Sequence, residues 1–223
     1  IVMNVVHEHT YVDSGCTFNN VYREITCTEC GANSYNKLYN IDPVKKSIIG
    51  INYTIDTNVI IPQDIYGIRI TSIDTEAFKN CTNLVKAKYR KFCPSAHCFS
   101  GCEKLEIYDS SAGELHGDNA FQNCKKLKTI ILRKNGLVPL ERDPSYWAFL
   151  LNNTPFDPDY AEATGGFVLV PSALISEYQA ATNWVALYEA GLCTFLPLEE
   201  YTVDGTTAGE IDWDKLNAVV YPE

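Results

Sequence analysis

AFKNCTNL at 77–84, CFSGCEKL at 98–105 and AFQNCKKL at 120–127 are one phrase written three times. The phenylalanines Phe78, Phe99 and Phe121 stand twenty-one and twenty-two residues apart, the period of a short solenoid coil. Within each phrase a small residue, Phe, Cys and Leu occupy i, i+1, i+4 and i+7. That spacing puts all four on one buried face of a helical turn and leaves the polar letters to water. After each Leu the pattern changes to strand-like alternation, as in Leu84-x-x-Ala87-x-Tyr89, Leu105-x-x-Tyr108-x-Ser110 and Leu127-x-x-Ile130-x-Leu132. Each coil is expected to be a short helix followed by a strand, and neighbouring coils are expected to share one core.

The three phrases resemble the signature a-F-x-x-C-x-x-L-x-x-I of the BspA-type (Treponema-type) leucine-rich repeats of bacterial surface and secreted proteins. The resemblance implies an α/β fold: a short right-handed leucine-rich-repeat solenoid, one strand and one short helix per coil, with a β-hairpin entry cap and a helical C-terminal cap. It also implies a non-catalytic binding or adhesion module, extracellular or on a cell surface, that recognises a protein or glycan partner. The alternative reading is a virion or prophage protein, structural or receptor-binding, associated with a phage tail.

Composition agrees with a packed core, since 46% of the 223 residues are hydrophobic and 12% are aromatic, well outside the range of disordered chains. No apolar run approaches the roughly 18–20 residues of a membrane helix, so membrane insertion is not expected. The net charge of −10 argues against nucleic acid as the main partner. That charge is uneven: residues 75–134 carry eleven Lys/Arg against six Asp/Glu, which leaves −15 for the remainder. A basic band on an acidic body results.

Residues 1–44 read as a separate, zinc-ribbon-like module, followed by a repeat domain with its caps at 45–198 and an acidic C-terminal tail at 199–223. In the first unit the turn Cys27-Thr-Glu-Cys30-Gly31 lets two thiolates face one ion, and His9 with Cys16 completes a tetrahedral zinc set. His7 is the substitute for His9. The unit also resembles small H-x-H…C-x-x-C-G modules of clostridial surface proteins. In an oxidising compartment Cys16 paired with Cys27 or Cys30 is the competing reading. The stretch 45–73 alternates on both sides of Asp56-Thr57-Asn58 and reads as a β-hairpin leading into the first coil.

Beyond Leu132 the repeat loosens, a strand is expected at 167–170, and 171–190 carries a helical apolar face broken near Thr182-Asn183 and stopped at Gly191. The tail holds a turn at Asp204-Gly205 and a short helix capped by Asp212 through Trp213 and Leu216. It reads as a frayed end or linker, with a docking segment as the sharper alternative.

Cys81, Cys102 and Cys124 share one slot in successive coils, and Cys98 replaces the small residue. They and Cys193 are expected as buried reduced thiols rather than nucleophiles. Cys93 and His97 form the one local Cys/His pair in the repeats, and since the register buries the neighbouring Cys98, no enzyme is expected here. The candidate binding surface is instead the outward face of the strands: Lys86, Lys88 and Arg90, then Ile107 and Asp109, then Thr129, Ile131 and Arg133. A mixed apolar and basic stripe suits recognition, and it equally suits a solvated face whose lysines block edge pairing.

Overall fold

A computed structural model of the chain describes residues 11–18, 22–27, 33–51, 57–89, 95–111, 115, 117–140, 142–143 and 148–222, with side chains described from residue 37 onward except at 52–60, 89–94, 112–114, 116 and 141–149. The strands are β1 (Tyr11–Phe18), β2 (Tyr22–Cys27), β3 (Asn33–Lys37), β4 (Tyr39–Asp42), β5 (Ser47–Ile51), β6 (Thr57–Ile61), β7 (Asp64–Ile65), β8 (Ile68–Arg69), β9 (Ser72–Ile73), β10 (Leu84–Tyr89), β11 (Ile107–Ser110), β12 (Thr129–Leu132), β13 (Arg142–Asp143), β14 (Ala148–Phe149), β15 (Gly166–Val170) and β16 (Cys193–Pro197). The helices are α1 (Ile175–Ala180), α2 (Trp184–Glu189) and α3 (Trp213–Val220).

The solenoid is built on a six-stranded sheet in the order β16-β15-β12-β11-β10-β6, in which every neighbouring pair is parallel. Its register carries the repeat across the sheet, for Ala87 lies beside Tyr108, Tyr108 beside Ile130, and Ile130 beside Val168. These inward residues are fully buried and meet the phrase residues Phe78, Phe99, Phe121, Leu84, Leu105 and Leu127 in one core. The three phenylalanine rings stack at centroid spacings of 5.5 and 5.4 Å, so each coil contributes one plate of an aromatic column.

The connecting phrases, expected as helices, are runs of consecutive turns. An α-helix spends its amide hydrogens on its own carbonyls, whereas here they divide between two uses. Lys79 and Cys81 donate within the coil to Glu76 and Phe78, while Glu76, Phe78 and Asn80 donate to Ala96, Cys98 and Ser100 of the next coil. His97, Phe99 and Gly101 repeat the pattern onto Asp118, Ala120 and Gln122. Alternation of this kind needs left-handed backbone at fixed intervals, and φ is +59° at Asn80, +75° at Gly101 and +62° at Asn123. The Asn/Gly letter of the phrase is therefore a backbone requirement, because those residues tolerate that region best. At Gly101 a Cβ would also stand 2.2 Å from the Asn80 side-chain oxygen.

The expected buried thiols are found, with Cys81, Cys98, Cys102, Cys124 and Cys193 all buried and reduced. Cys102 and Cys124 donate their S–H to the carbonyls of Phe78 and Phe99 at 3.1 and 3.2 Å. Burial raises the thiols of Cys124 and Cys193, and the contact with Cys81 together with burial raises that of Cys102. The sulfurs of Cys102, Cys124 and Cys193 are held as neutral packing groups, unsuited to nucleophilic work.

The entry is capped by a hairpin, though a different one from that read across 45–73. β5 pairs antiparallel with β4 and parallel with β9, while β6 joins the main sheet beside β10. Alternation marks both segments as strands, but it does not choose their partners. At the other end the helical cap falls where the sequence places it, with Asn183 at φ +66° between α1 and α2 and Gly191 at φ +71° after α2. Tyr178, Trp184 and Phe195 form an aromatic cluster there, and the Trp184 indole N–H donates to the Val138 carbonyl at 2.8 Å.

Candidate functional site

The outward residues of the sheet line up in two rows. Lys86, Ile107, Thr129 and Phe167 are lateral neighbours in one, and Lys88, Asp109, Ile131 and Leu169 in the other. The strands thus bring together the candidate residues as the repeat register requires, with Arg133 one step beyond; Arg90 lies outside the described residues. The face they form is not open to solvent. Ile107, Asp109, Thr129 and Ile131 are all buried.

What covers them is the segment from Leu198 to Tyr221. It begins with a 3-10 turn at Leu198–Tyr201 and turns at Gly205, and it returns so that Thr202 bridges Ile211 antiparallel. α3 follows, its first turn capped by the Asp212 carboxylate, which accepts the Lys215 amide at 3.1 Å. Leu198, Tyr201, Ile211, Leu216 and Val220 pack on Ile107, Ile131 and Leu169, with Trp213 and Phe167 at the margin. This is a second apolar core on the opposite side of the sheet from the first. The expectation of a frayed or linking tail is corrected here: the helix and its cap are as read, but the segment closes over the sheet because Leu198, Tyr201, Ile211, Leu216 and Val220 are buried there, out of water.

Polar contacts fasten the same strap. The buried pair Asp109 and Arg133 is bidentate, at 2.6 Å from Nε and 3.0 Å from Nη2, while Arg133 Nη1 donates to the carbonyls of Thr207 and Gly209, both at 2.8 Å. Gly209 packs closely within the strap: a Cβ there would stand 1.9 Å from an Asp204 carboxylate oxygen, and that side chain would have to swing aside. Lys88 donates to Glu210 at 3.0 and 3.1 Å and lies 4.0 Å from Asp109. The Lys86 ammonium sits 3.1 Å from the centroid of the Trp213 ring. Burial lowers its pKa, Asp109 opposes that shift and Lys88 adds to it. Tyr221 donates to Glu106 at 3.1 Å.

Between strap and sheet, at the carboxyl ends of β6, β10, β11 and β12, lies a cavity of about 430 Å³ lined by Gln63, Lys88, Ser111, Arg133, Thr207 and Glu210. Sequence reasoning placed Lys88 and Arg133 at this face but missed the strap residues. They carry no repeat signal, and only their acidity and aromatic content set them apart from a solvated end.

The zinc candidates His9 and Cys30 lie outside the described residues, as do the side chains of Cys16 and Cys27. The backbone does describe where two of them fall. Thr26 pairs with Asn33, so C-x-x-C-G spans the β2–β3 connection. Tyr11 pairs with Cys27, whereas Cys16 lies within the register shift between Asp13 and Thr17. Among the described residues no group of His, Cys, Asp and Glu is arranged to hold a metal, and no helix is long and apolar enough to cross a membrane. Of the Cys93/His97 pair, His97 is half-buried with φ +53°, and Cys93 lies outside the described residues.

Residues 51–139 match the BspA type leucine rich repeat region family in six copies. The crystal structure of a T. pallidum leucine rich repeat protein is similar to this chain at 24% identity, over 45% of this chain and 49% of that one, with a TM-score of 0.35. The chain thus spans about half the length of that protein. None of the curated proteins matches. The stretch 51–139 carries BspA-type leucine-rich repeats.

Proposed function

We propose that this chain is a non-catalytic binding module that recognises a protein or glycan partner at a bacterial surface or in its secretions. The repeat type supports a binding scaffold. The observation that carries the reading further is the sheet face itself, where the Lys86 ammonium sits on the Trp213 ring, Lys88 is set in the wall 4.0 Å from the buried Asp109 carboxylate, and Arg133 is bidentate to Asp109. Rigid, pre-oriented cations of this kind lose little freedom on meeting a partner.

Contact falls on the rim of the face, through Lys86, Lys88 and the cavity beside them, since Ile107, Asp109, Thr129 and Ile131 lie beneath the strap. A virion receptor-binding role would use the same rim and differs only in the partner. Arrays of host proteins and glycans probed with the whole chain test the reading. Saturable capture that weakens with rising salt is expected. Capture by no protein or glycan, or capture unchanged when Lys86 and Lys88 are both replaced by Glu, removes the proposal from this face.

A further inference from the structure

We infer that the cavity at the carboxyl ends of β6, β10, β11 and β12 takes a carboxylate-bearing saccharide, with Lys88 receiving the carboxylate that Glu210 now supplies. The inference rests on the binding-module reading above and names the ligand chemistry of the same rim.

Three observations lead there. The first is what the strap leaves uncovered. A bound peptide draws its affinity from apolar anchors in pockets, and the apolar part of this face is already filled by Leu198, Ile211, Leu216 and Val220. What remains open is compact, and every residue that lines it except Ala208 carries a polar or charged group. Its volume of about 430 Å³ falls within the range of small-molecule sites, about 300–1,000 Å³, and it offers the Gln63 amide and the Ser111 and Thr207 hydroxyls. Such groups both donate and accept, as the hydroxyls of a sugar ring require.

The second is the asymmetry of the Lys88 ion pair. The Lys88 side chain is 16% exposed and that of Glu210 is 74% exposed. The ammonium is fixed in the wall, while the carboxylate reaches it from solvent. A pair with one partner so well hydrated is held weakly, and a carboxylate delivered on a ring that also meets the amide and hydroxyls would displace it. The third is that the charge of Arg133 is already met by the buried carboxylate of Asp109. Its Nε and Nη2 are taken by Asp109 and its Nη1 by the Thr207 and Gly209 carbonyls. Arg133 builds the wall and leaves Lys88 as the cation that meets the ligand.

Calorimetric titration of the whole chain with glucuronate and with N-acetylneuraminate, against glucose and acetate as controls, tests this. At least one acidic sugar should bind saturably, at least about tenfold more tightly than either control, because it alone combines the charge with the ring contacts. Lys88→Gln should weaken it by about tenfold or more, and Glu210→Gln should strengthen it several-fold by removing the competing carboxylate. Thr207→Val, which leaves the ion pair alone, should weaken it by a smaller factor, and thermal melts establish that each variant is folded. Binding no tighter than acetate, or unchanged in a folded Lys88→Gln protein, overturns the inference, as does weakening by Glu210→Gln. An acidic peptide that displaces both sugars in a Lys88-dependent manner overturns it in favour of a peptide site. If an array partner is captured but neither acidic sugar competes, this inference fails while the binding-module reading stands.

Discussion

The two faces of the solenoid sheet are buried to a similar degree by quite different means. On the inner face Ala87, Tyr108, Ile130 and Val168 meet the phrase residues of their own and adjoining coils, all within a few dozen positions of chain. On the outer face Ile107, Ile131 and Leu169 meet Leu198, Ile211, Leu216 and Val220, which follow the last coil and belong to no repeat. A repeat can write its own core because each copy supplies both knob and neighbour. It cannot write what lies on the other side. Alternation along a strand says that two faces differ, and it is silent on whether the second meets water or a later segment.

The largest effect should come from breaking the inner face. Phe99 is fully buried and stacked between Phe78 and Phe121, so Phe99→Ala is expected to cost about 3–5 kcal/mol. The loss should appear as a lower midpoint of one cooperative melt. Lys104 is exposed and donates to the Asn83 side chain at 3.2 Å, and Lys104→Ala should cost less than about 0.5 kcal/mol. Equal midpoints for the two variants would mean that the phenylalanine column does not organise the coils.

Next comes the ion pair that fastens the strap to the outer face. Asp109 and Arg133 are both nearly inaccessible, with side chains 2% and 5% exposed. Asp109→Asn leaves the guanidinium in place without its counter-charge, and a cost of about 3 kcal/mol is expected. The double change Asp109→Asn, Arg133→Gln should recover part of that loss. A double variant no better than the single would show that the carbonyls of Thr207 and Gly209, rather than Asp109, are what Arg133 chiefly serves.

A smaller and more local effect is expected from the strap. Leu216 is buried against the outer face, and Leu216→Ala should cost about 2–3 kcal/mol. Unlike the Phe99 change, it should speed amide hydrogen exchange first in 198–221 and later, if at all, in the coils, because the inner core does not depend on the strap. Simultaneous loss of protection in both would make the two faces one cooperative unit.

The sequence made the inner face legible down to single residues, because Phe, Cys and Leu recur in register and the strands after them keep the same parity. It also marked the helix break at Asn183, the stop at Gly191 and the cap at Asp212, each a local preference of one residue type. The turn geometry of the phrases was readable in principle from Asn80, Gly101 and Asn123, where Asn and Gly alternate in one slot, but a spacing of i, i+1, i+4, i+7 reads first as helical. The partner of β6 and the closing of the strap were not readable. Both are choices among distant segments, made by total apolar burial rather than by any local letter.

The least effect on either face is expected from the metal, which makes it a test of whether residues 1–44 stand apart. Zinc at one ion per chain is the expectation, and its role would be structural: four protein ligands leave no place for an activated water, and the ion would order a unit with few large apolar side chains. The C-x-x-C-G stretch spans the β2–β3 connection, and Tyr11, two residues after His9, pairs with Cys27. Cys16 lies between Asp13, which pairs with Ile25, and Thr17, which pairs with Arg23, so along the ladder it stands two to four residues from Cys27, or about 7–13 Å at roughly 3.3 Å per residue. Cys27→Ser is therefore expected to abolish binding, whereas Cys16→Ser should reduce it less than a joint His7→Ala, His9→Ala change. Metal analysis of protein prepared without chelator gives the stoichiometry, and chelation at neutral pH should leave the melt of the solenoid where it was. An absence of zinc together with a disulfide from Cys16 to Cys27 or Cys30 would replace the metal by a covalent staple. A solenoid melt that falls on chelation would mean instead that the first unit and the inner core share their stability.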